Sequence, residues 1–166
     1  LSDLNEDERA RGVVGVSSGN HAQGVTWAAK RLGISATIVM PSNAPRMKLE
    51  ATKALCANVV LYDRATESRE VVAAGLIAQS GATLVHAFGD PWVIEGQGTA
   101  GIEITQQLHD FGLSGPNLIV ACCGGGGLAS GLALACPDAD IAIVEPEGWD
   151  DIIRSLDAGE ILPVKD

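Results

Sequence analysis

Eight residues near the start of the chain, Ser17-Ser18-Gly19-Asn20-His21-Ala22-Gln23-Gly24, concentrate two hydroxyls, two carboxamides and an imidazole in one short stretch. Short polar side chains beside the free backbone N–H groups of a helix N-terminus favour a carboxylate or a phosphate. The chemistry expected here is anion binding. A second cluster offers no side chains at all: residues 124–127 are four consecutive glycines, whose amides can wrap a phosphate with no Cβ in the way. Gly124-x-Gly126-x-x-Ala129 also fits a dinucleotide fingerprint, with Glu145 near the place of a ribose-binding acid. Taken alone, this turn supports a phosphate monoester, a dinucleotide or a purely structural role.

The flanking sequence positions both clusters. Residues 12–16, with three valines, form a short β-branched run that suits a buried strand, while Val25, Ala28, Ala29 and Leu32 recur at helical spacing. The octet is therefore a strand-to-helix turn. Strands are expected at 36–40, 58–62, 83–86, 117–121 and 141–144, and helices at 45–55, 66–79, 99–108 and 128–136, with 1–11 as a helical lead-in. Pro45 suits a first helical position and Gly81 a helix stop. Residues 88–98 read as a glycine- and proline-punctuated connector and the best domain boundary. Strands alternating with helices make a parallel sheet with crossovers, an α/β fold.

Composition excludes several classes. The chain has 166 residues, 46% of them hydrophobic, which is enough for a real core as one domain or two small ones. A net charge of −10 argues against an extended nucleic-acid footprint and leaves room only for a local positive site. Apolar runs are too short for a membrane span and residues 1–11 too charged for a signal peptide, so a soluble, cytoplasmic protein is expected. Cys56, Cys122, Cys123 and Cys136 form no C-x-x-C pair, so reduced, structural thiols are expected. His86 and His109 sit in no motif and read as structural or surface residues.

Two anion-binding turns on separate strand ends imply two anionic groups, and here the chain resembles the fold-type II pyridoxal 5′-phosphate enzymes, in their serine/threonine dehydratase and serine racemase branch. The resemblance rests on the octet at 17–24, Thr66-Glu67-Ser68-Arg69-Glu70, Gly96-Gln97-Gly98-Thr99, the tetraglycine turn and Val144-Glu145-Pro146-Glu147-Gly148, all in order. It implies parallel twisted sheets with flanking helices, like those of the tryptophan synthase β type. A small domain over 12–88 and part of a larger one over 89–166 would hold cofactor and substrate between them.

Carried over by position, Gly124, Gly125, Gly126 and Gly127 resemble the cofactor's phosphate cup, and Asn20 the partner of its ring hydroxyl. Ser17, Gly19, Asn20 and His21 resemble the cradle for the substrate α-carboxylate. Ser18 matches the acid/base of racemases, a role that needs surroundings that lower the hydroxyl pKa. Arg69 matches a residue at the substrate's distal end, or else is a solvated helix charge. Glu145, the Trp149 carbonyl and Asp151, for which Asp150 could substitute, match an oxygen-ligated site for Mg2+ or Ca2+.

The implied reaction is dehydration and deamination of a small β-hydroxy amino acid such as L-serine or L-threonine, giving a 2-oxo acid and ammonia. Racemisation and hydroxyaspartate dehydration share the same cradle, and a homodimer is favoured. The chain departs from the pattern in one decisive respect. The cofactor-bearing lysine belongs to a Ser-Phe-Lys-x-Arg-Gly-Ala type motif with no counterpart here, and Lys30, Lys48, Lys53 and Lys165 stand in other contexts. The segment that supplies a hydroxyl to the pyridine nitrogen is also missing, and Pro137 arrives early. These residues are therefore expected to be the middle of a longer enzyme, incomplete at both ends and inactive alone. The alternatives are a non-catalytic binding module and, on the glycine turn alone, a dinucleotide-binding module.

Overall fold

Alternation within the strands explains the first half of the fold. The computed structural model describes residues 1–55 and 57–162; Cys56 and Lys165 lie outside the described residues. Helix α1 (Glu6–Arg11) opens with a capping box at Asn5 and leads into β1 (Val13–Val16). Successive β1 residues face opposite sides of the sheet. Val13 meets Ala22, Val25 and Ala29 of α2 (Asn20–Leu32) and Ile38 and Met40 of β2 (Ala36–Pro41). Val14 faces the other way, toward Val39, Tyr62 of β3 (Asn58–Tyr62) and Ala73 of α4 (Arg69–Ser80). Helix α3 (Arg46–Ala54) joins β2 to β3, and β4 (Thr83–Val85) closes the unit. Each fully buried Val, Ile or Met contributes roughly 1.5–3 kcal/mol.

All four strands are parallel, in the order β3-β2-β1-β4. The chain passes from β1 to neighbours on one side and then crosses to β4 on the other. The C-terminal ends of β1 and β4 thus meet at the point where strand order reverses, the place at which open α/β sheets bind ligands.

Residues Leu1–Ala87 form one compact unit and Phe88–Asp166 a second. In the second, α5 (Pro91–Asp110) packs on α6 (Gly127–Ala135), β5 (Leu118–Cys122) pairs in parallel with β6 (Asp140–Val144), and α7 (Asp151–Ala158) follows. The expected connector at 88–98 is helical from Pro91 onward, with Asp90 capping the Trp92 N–H at 2.8 Å. Its glycines are not breakers: a Cβ on Gly98 would stand 3.0 Å from the Gly131 carbonyl oxygen, and one on Gly131 only 2.5 Å from that of Ile94. The two helices approach backbone to backbone. Helix α4 starts at Arg69 rather than at 66, because Ser68 is its N-cap. Pro45 stands one residue before α3. Helix α7 had no expectation from sequence.

No described helix is long and apolar enough to cross a membrane. Cys123 and Cys136 are buried, whereas Cys122 is exposed, and all three are free thiols.

Candidate functional site

The turn after β1 has the uncommitted donors that anion binding requires. Gly19 is the N-cap of α2 and carries no side chain, so no side chain caps the helix. The Ser17 Oγ instead accepts the Gly19 N–H at 3.1 Å, which bends the chain out of the strand. Asn20 is exposed on the first turn, and Ser17, Ser18 and His21 are half-buried around it.

His21 is held in place by a neighbouring strand end. Its Nε2 lies 3.1 Å from the carbonyl oxygen of Val85, the last residue of β4. A carbonyl only accepts, so Nε2 carries the proton and Nδ1 is left as an acceptor. Burial lowers the imidazole pKa, the Val85 bond opposes this, and nearby His86 lowers it further. A neutral ring that anchors the turn is the result. His109 is tied to the Ser114 carbonyl at 3.2 Å, away from any motif.

Beside Ser17 and Ser18 is a polar cavity of about 30 Å³, lined also by Tyr62, Arg64 and Arg69 over an apolar floor from β1 and β2. About 10–15 Å³ accommodates a water, so this cavity accepts a small two-oxygen group. Arg69 donates to Glu70 from Nε at 2.7 Å, which raises the guanidinium pKa and holds the Glu70 carboxyl down at about 2, helped by Ser68. Both side chains are more than half exposed, so the pair itself adds little stability. Tyr62 and Arg64 escaped the sequence reading. The available signal was their place at the C-terminal end of β3, beside the ends of β2 and β1.

The tetraglycine turn is a second helix entrance. Gly126 is the N-cap of α6 at φ +80°, a left-handed conformation that favours glycine, and no side chain caps the helix. Cβ atoms on Gly125 and Gly127 would run into Phe88, at 2.2 Å from its ring and 3.1 Å from its backbone, whereas Gly124 faces open space. Phe88 thus backs the loop on one side while amides and space remain on the other. This arrangement fits a phosphate monoester. Phe88 was another residue missed, since its contact joins positions far apart in sequence.

Glu145 is occupied differently. Its two oxygens accept the N–H groups of Ile152 at 3.1 Å and Ile153 at 2.9 Å, capping α7 in place of Asp150, whose carboxylate pairs with Arg154 at 3.1 Å. The Trp149 N–H donates to Pro146 at 2.9 Å. Among the described residues no group of three or more His, Cys, Asp or Glu side chains is placed to hold a metal ion. Burial first, and Glu145 next, push the Cys123 thiol pKa up, against a backbone hydrogen bond with Gly126 that lowers it. Lys30 stands in the last turn of α2, and Lys48 and Lys53 in α3. A groove of about 360 Å³ along α5 and α6 is apolar apart from Glu95 and offers no reactive group.

The profile of the family described as "Pyridoxal-phosphate dependent enzyme" matches residues 1–166. The chain is 44% identical to an L-threo-3-hydroxyaspartate ammonia-lyase of Pseudomonas sp, over 99% of this chain and 51% of that protein. It is 41% identical to a serine racemase of Schizosaccharomyces pombe, over 99% of this chain and 50% of that one. Among solved structures, the processed form of threonine deaminase isoform 2 from Solanum lycopersicum superposes with a TM-score of 0.85 at 39% identity, covering 97% of this chain and 47% of that one. The chain thus spans about half the length of these relatives.

Proposed function

The chain belongs to the pyridoxal-phosphate dependent enzymes, and from that premise we propose that the whole protein removes the β-hydroxyl from a small β-hydroxy amino acid, releasing a 2-oxo acid and ammonia. This reading rests on one feature above all: two helix entrances free of side-chain caps, one lined by Ser17, Ser18 and Asn20 and one by glycine alone. A carboxylate suits the first and a phosphate monoester the second.

The residues divide the work as follows. Gly124, Gly125, Gly126 and Gly127 hold the cofactor phosphate through backbone amides. When bound, the cofactor supplies an electron sink for the substrate's α-carbon. Ser17 through its hydroxyl, and Asn20 and His21 through their first-turn backbone N–H groups, hold the α-carboxylate, with Gly19 leaving the approach open, and the Asn20 carboxamide also orients the cofactor's ring hydroxyl. His21 commits its proton to Val85, so it positions the turn and moves no proton in the reaction. Arg69 faces the substrate's distal end. The cofactor-bearing lysine lies outside these residues. A cation at Glu145, Trp149 and Asp151 would have to displace or share the α7 cap, and no step uses it.

Racemisation is the second reading. It is favoured by Ser18, a half-buried residue that lines the arginine-containing cavity and whose hydroxyl would serve as the second proton-transfer group that racemisation requires. A homodimer in the cytoplasm completes the proposal, in keeping with three free thiols.

The test is turnover by the full-length protein loaded with pyridoxal 5′-phosphate. L-serine, L-threonine and L-threo-3-hydroxyaspartate are each supplied, and 2-oxo acid, ammonia and the opposite enantiomer are measured. Stoichiometric 2-oxo acid and ammonia from at least one substrate are expected. Enantiomer alone would make the protein a racemase, and no product from a loaded enzyme would leave a binding module.

A further inference from the structure

Beside the proposed α-carboxylate cradle, the small cavity lined by Ser17, Ser18, Tyr62, Arg64 and Arg69 has two arginines and, among the described residues, no acidic residue in its lining. That imbalance stands out in a chain of net charge −10. The acids nearest in sequence are already engaged. The Asp63 carboxylate accepts the Ala65 N–H at 2.9 Å, the Glu67 carboxylate accepts the Asp63 N–H at 2.7 Å, and Glu70 is held by Arg69 and Ser68. These bonds also fold residues 63–67 into a tight turn, with the Thr66 and Glu67 N–H groups both donating to the Asp63 carbonyl. The backbone of Arg64 is therefore fixed just past the end of β3 by its own turn, with the side chain exposed. Among the described residues it has no ion-pair partner.

A positive, hydroxyl-rich cavity with room for two oxygens selects a carboxylate, and guanidinium groups bind it through paired, charge-assisted hydrogen bonds. Ser17 and Ser18 belong both to the turn and to the cavity wall, so a substrate whose α-carboxylate sits on the turn directs its side chain there. We infer that Arg64 is a specificity residue which, with Arg69, binds the second carboxylate of a β-hydroxy dicarboxylic amino acid of the 3-hydroxyaspartate class. This deepens, and rests on, the lyase reading. Tyr62 is buried and lines the same cavity. L-Serine, ending in a hydroxyl, leaves Arg64 without a carboxylate partner and is the poorer substrate.

The test uses the full-length, cofactor-loaded protein, with kcat and KM for L-threo-3-hydroxyaspartate and L-serine in wild type, Arg64→Gln and Arg64→Lys. Binding of L-malate and of L-lactate is measured in parallel by calorimetry. Arg64→Gln should lower kcat/KM for hydroxyaspartate by about tenfold or more beyond its effect on serine, mainly through KM. Arg64→Lys should recover part of the loss, and malate should bind wild type more tightly than lactate but lose that advantage in Arg64→Gln. Equal losses for both substrates, or malate no tighter than lactate in wild type, would overturn the assignment. If no substrate is turned over, the lyase reading fails, and the malate and lactate comparison still decides the cavity.

Discussion

His21 and Val85 join two strand ends that are far apart in sequence. The imidazole Nε2 on the first turn of α2 lies 3.1 Å from the last carbonyl of β4, across the point where the sheet's strand order reverses. A side chain with the appearance of a catalytic histidine is used here as a strut. Its neighbours Ser17, Gly19 and Asn20 are thereby fixed relative to the sheet edge.

The strut has a pH signature. Burial lowers the folded-state pKa of His21 below its ordinary value of 6.5. The unfolded chain then binds more protons than the folded one below that pH, so stability present above about 6.5 is lost as the pH falls through this value toward the depressed folded pKa. Melting temperature measured from pH 7.5 to pH 5 should therefore fall more steeply in wild type than in His21→Gln. Parallel curves would mean that His21 protonates as freely folded as unfolded.

Glu145 should behave as a helix cap whether or not a cation is present. Its carboxylate accepts two N–H groups at the start of α7, where Asp150 makes no capping bond. Glu145→Ala is expected to cost about 1 kcal/mol in urea unfolding, with Glu145→Gln less harmful because one amide oxygen still accepts. The same loss is predicted with EDTA and with added Mg2+ or Ca2+. A loss confined to the cation-containing samples would assign the carboxylate to a metal instead.

The crossing of α5 and α6 leaves no space for a side chain at Gly131. A Cβ there would stand 2.5 Å from the Ile94 carbonyl oxygen and 2.6 Å from the Gly98 N. Gly131→Ala should destabilise by roughly 1–3 kcal/mol through forced separation of the helices. Gly96→Ala, with open space at its Cβ, should be neutral or slightly stabilising, since alanine is the better helix former. Chemical denaturation of both variants checks the contrast, and equal effects would remove the close-packing explanation for the Gly96-Gln97-Gly98-Thr99 motif.

How much of this could be read in the sequence depended on how local each signal was. The octet at 17–24 was legible because β-branched residues before it and alanines after it fix a strand and a helix without outside help. The tetraglycine turn was legible as a strand-to-helix entrance for the same reason. Helix α5 was cut short at its start because Gly96 and Gly98 weigh against a helix locally, and only the tertiary contact with Gly131 explains Gly98. Helix α7 was missed because its cap, Glu145, stands well before the helix, outside any local capping pattern. Arg64 and Tyr62 were missed because their role depends on parallel strands ending side by side, as were the partners Val85 and Phe88, which meet the site only after folding.

The central claim is that these residues belong to a lyase that uses pyridoxal 5′-phosphate on a lysine outside the four present here. The most direct measurement is intact mass and peptide mapping of the full-length protein after incubation with the cofactor and borohydride reduction. One reduced cofactor per chain, on a lysine other than Lys30, Lys48, Lys53 or Lys165, is the predicted result. A specific adduct on one of those four lysines, or no specific adduct at all, would contradict it.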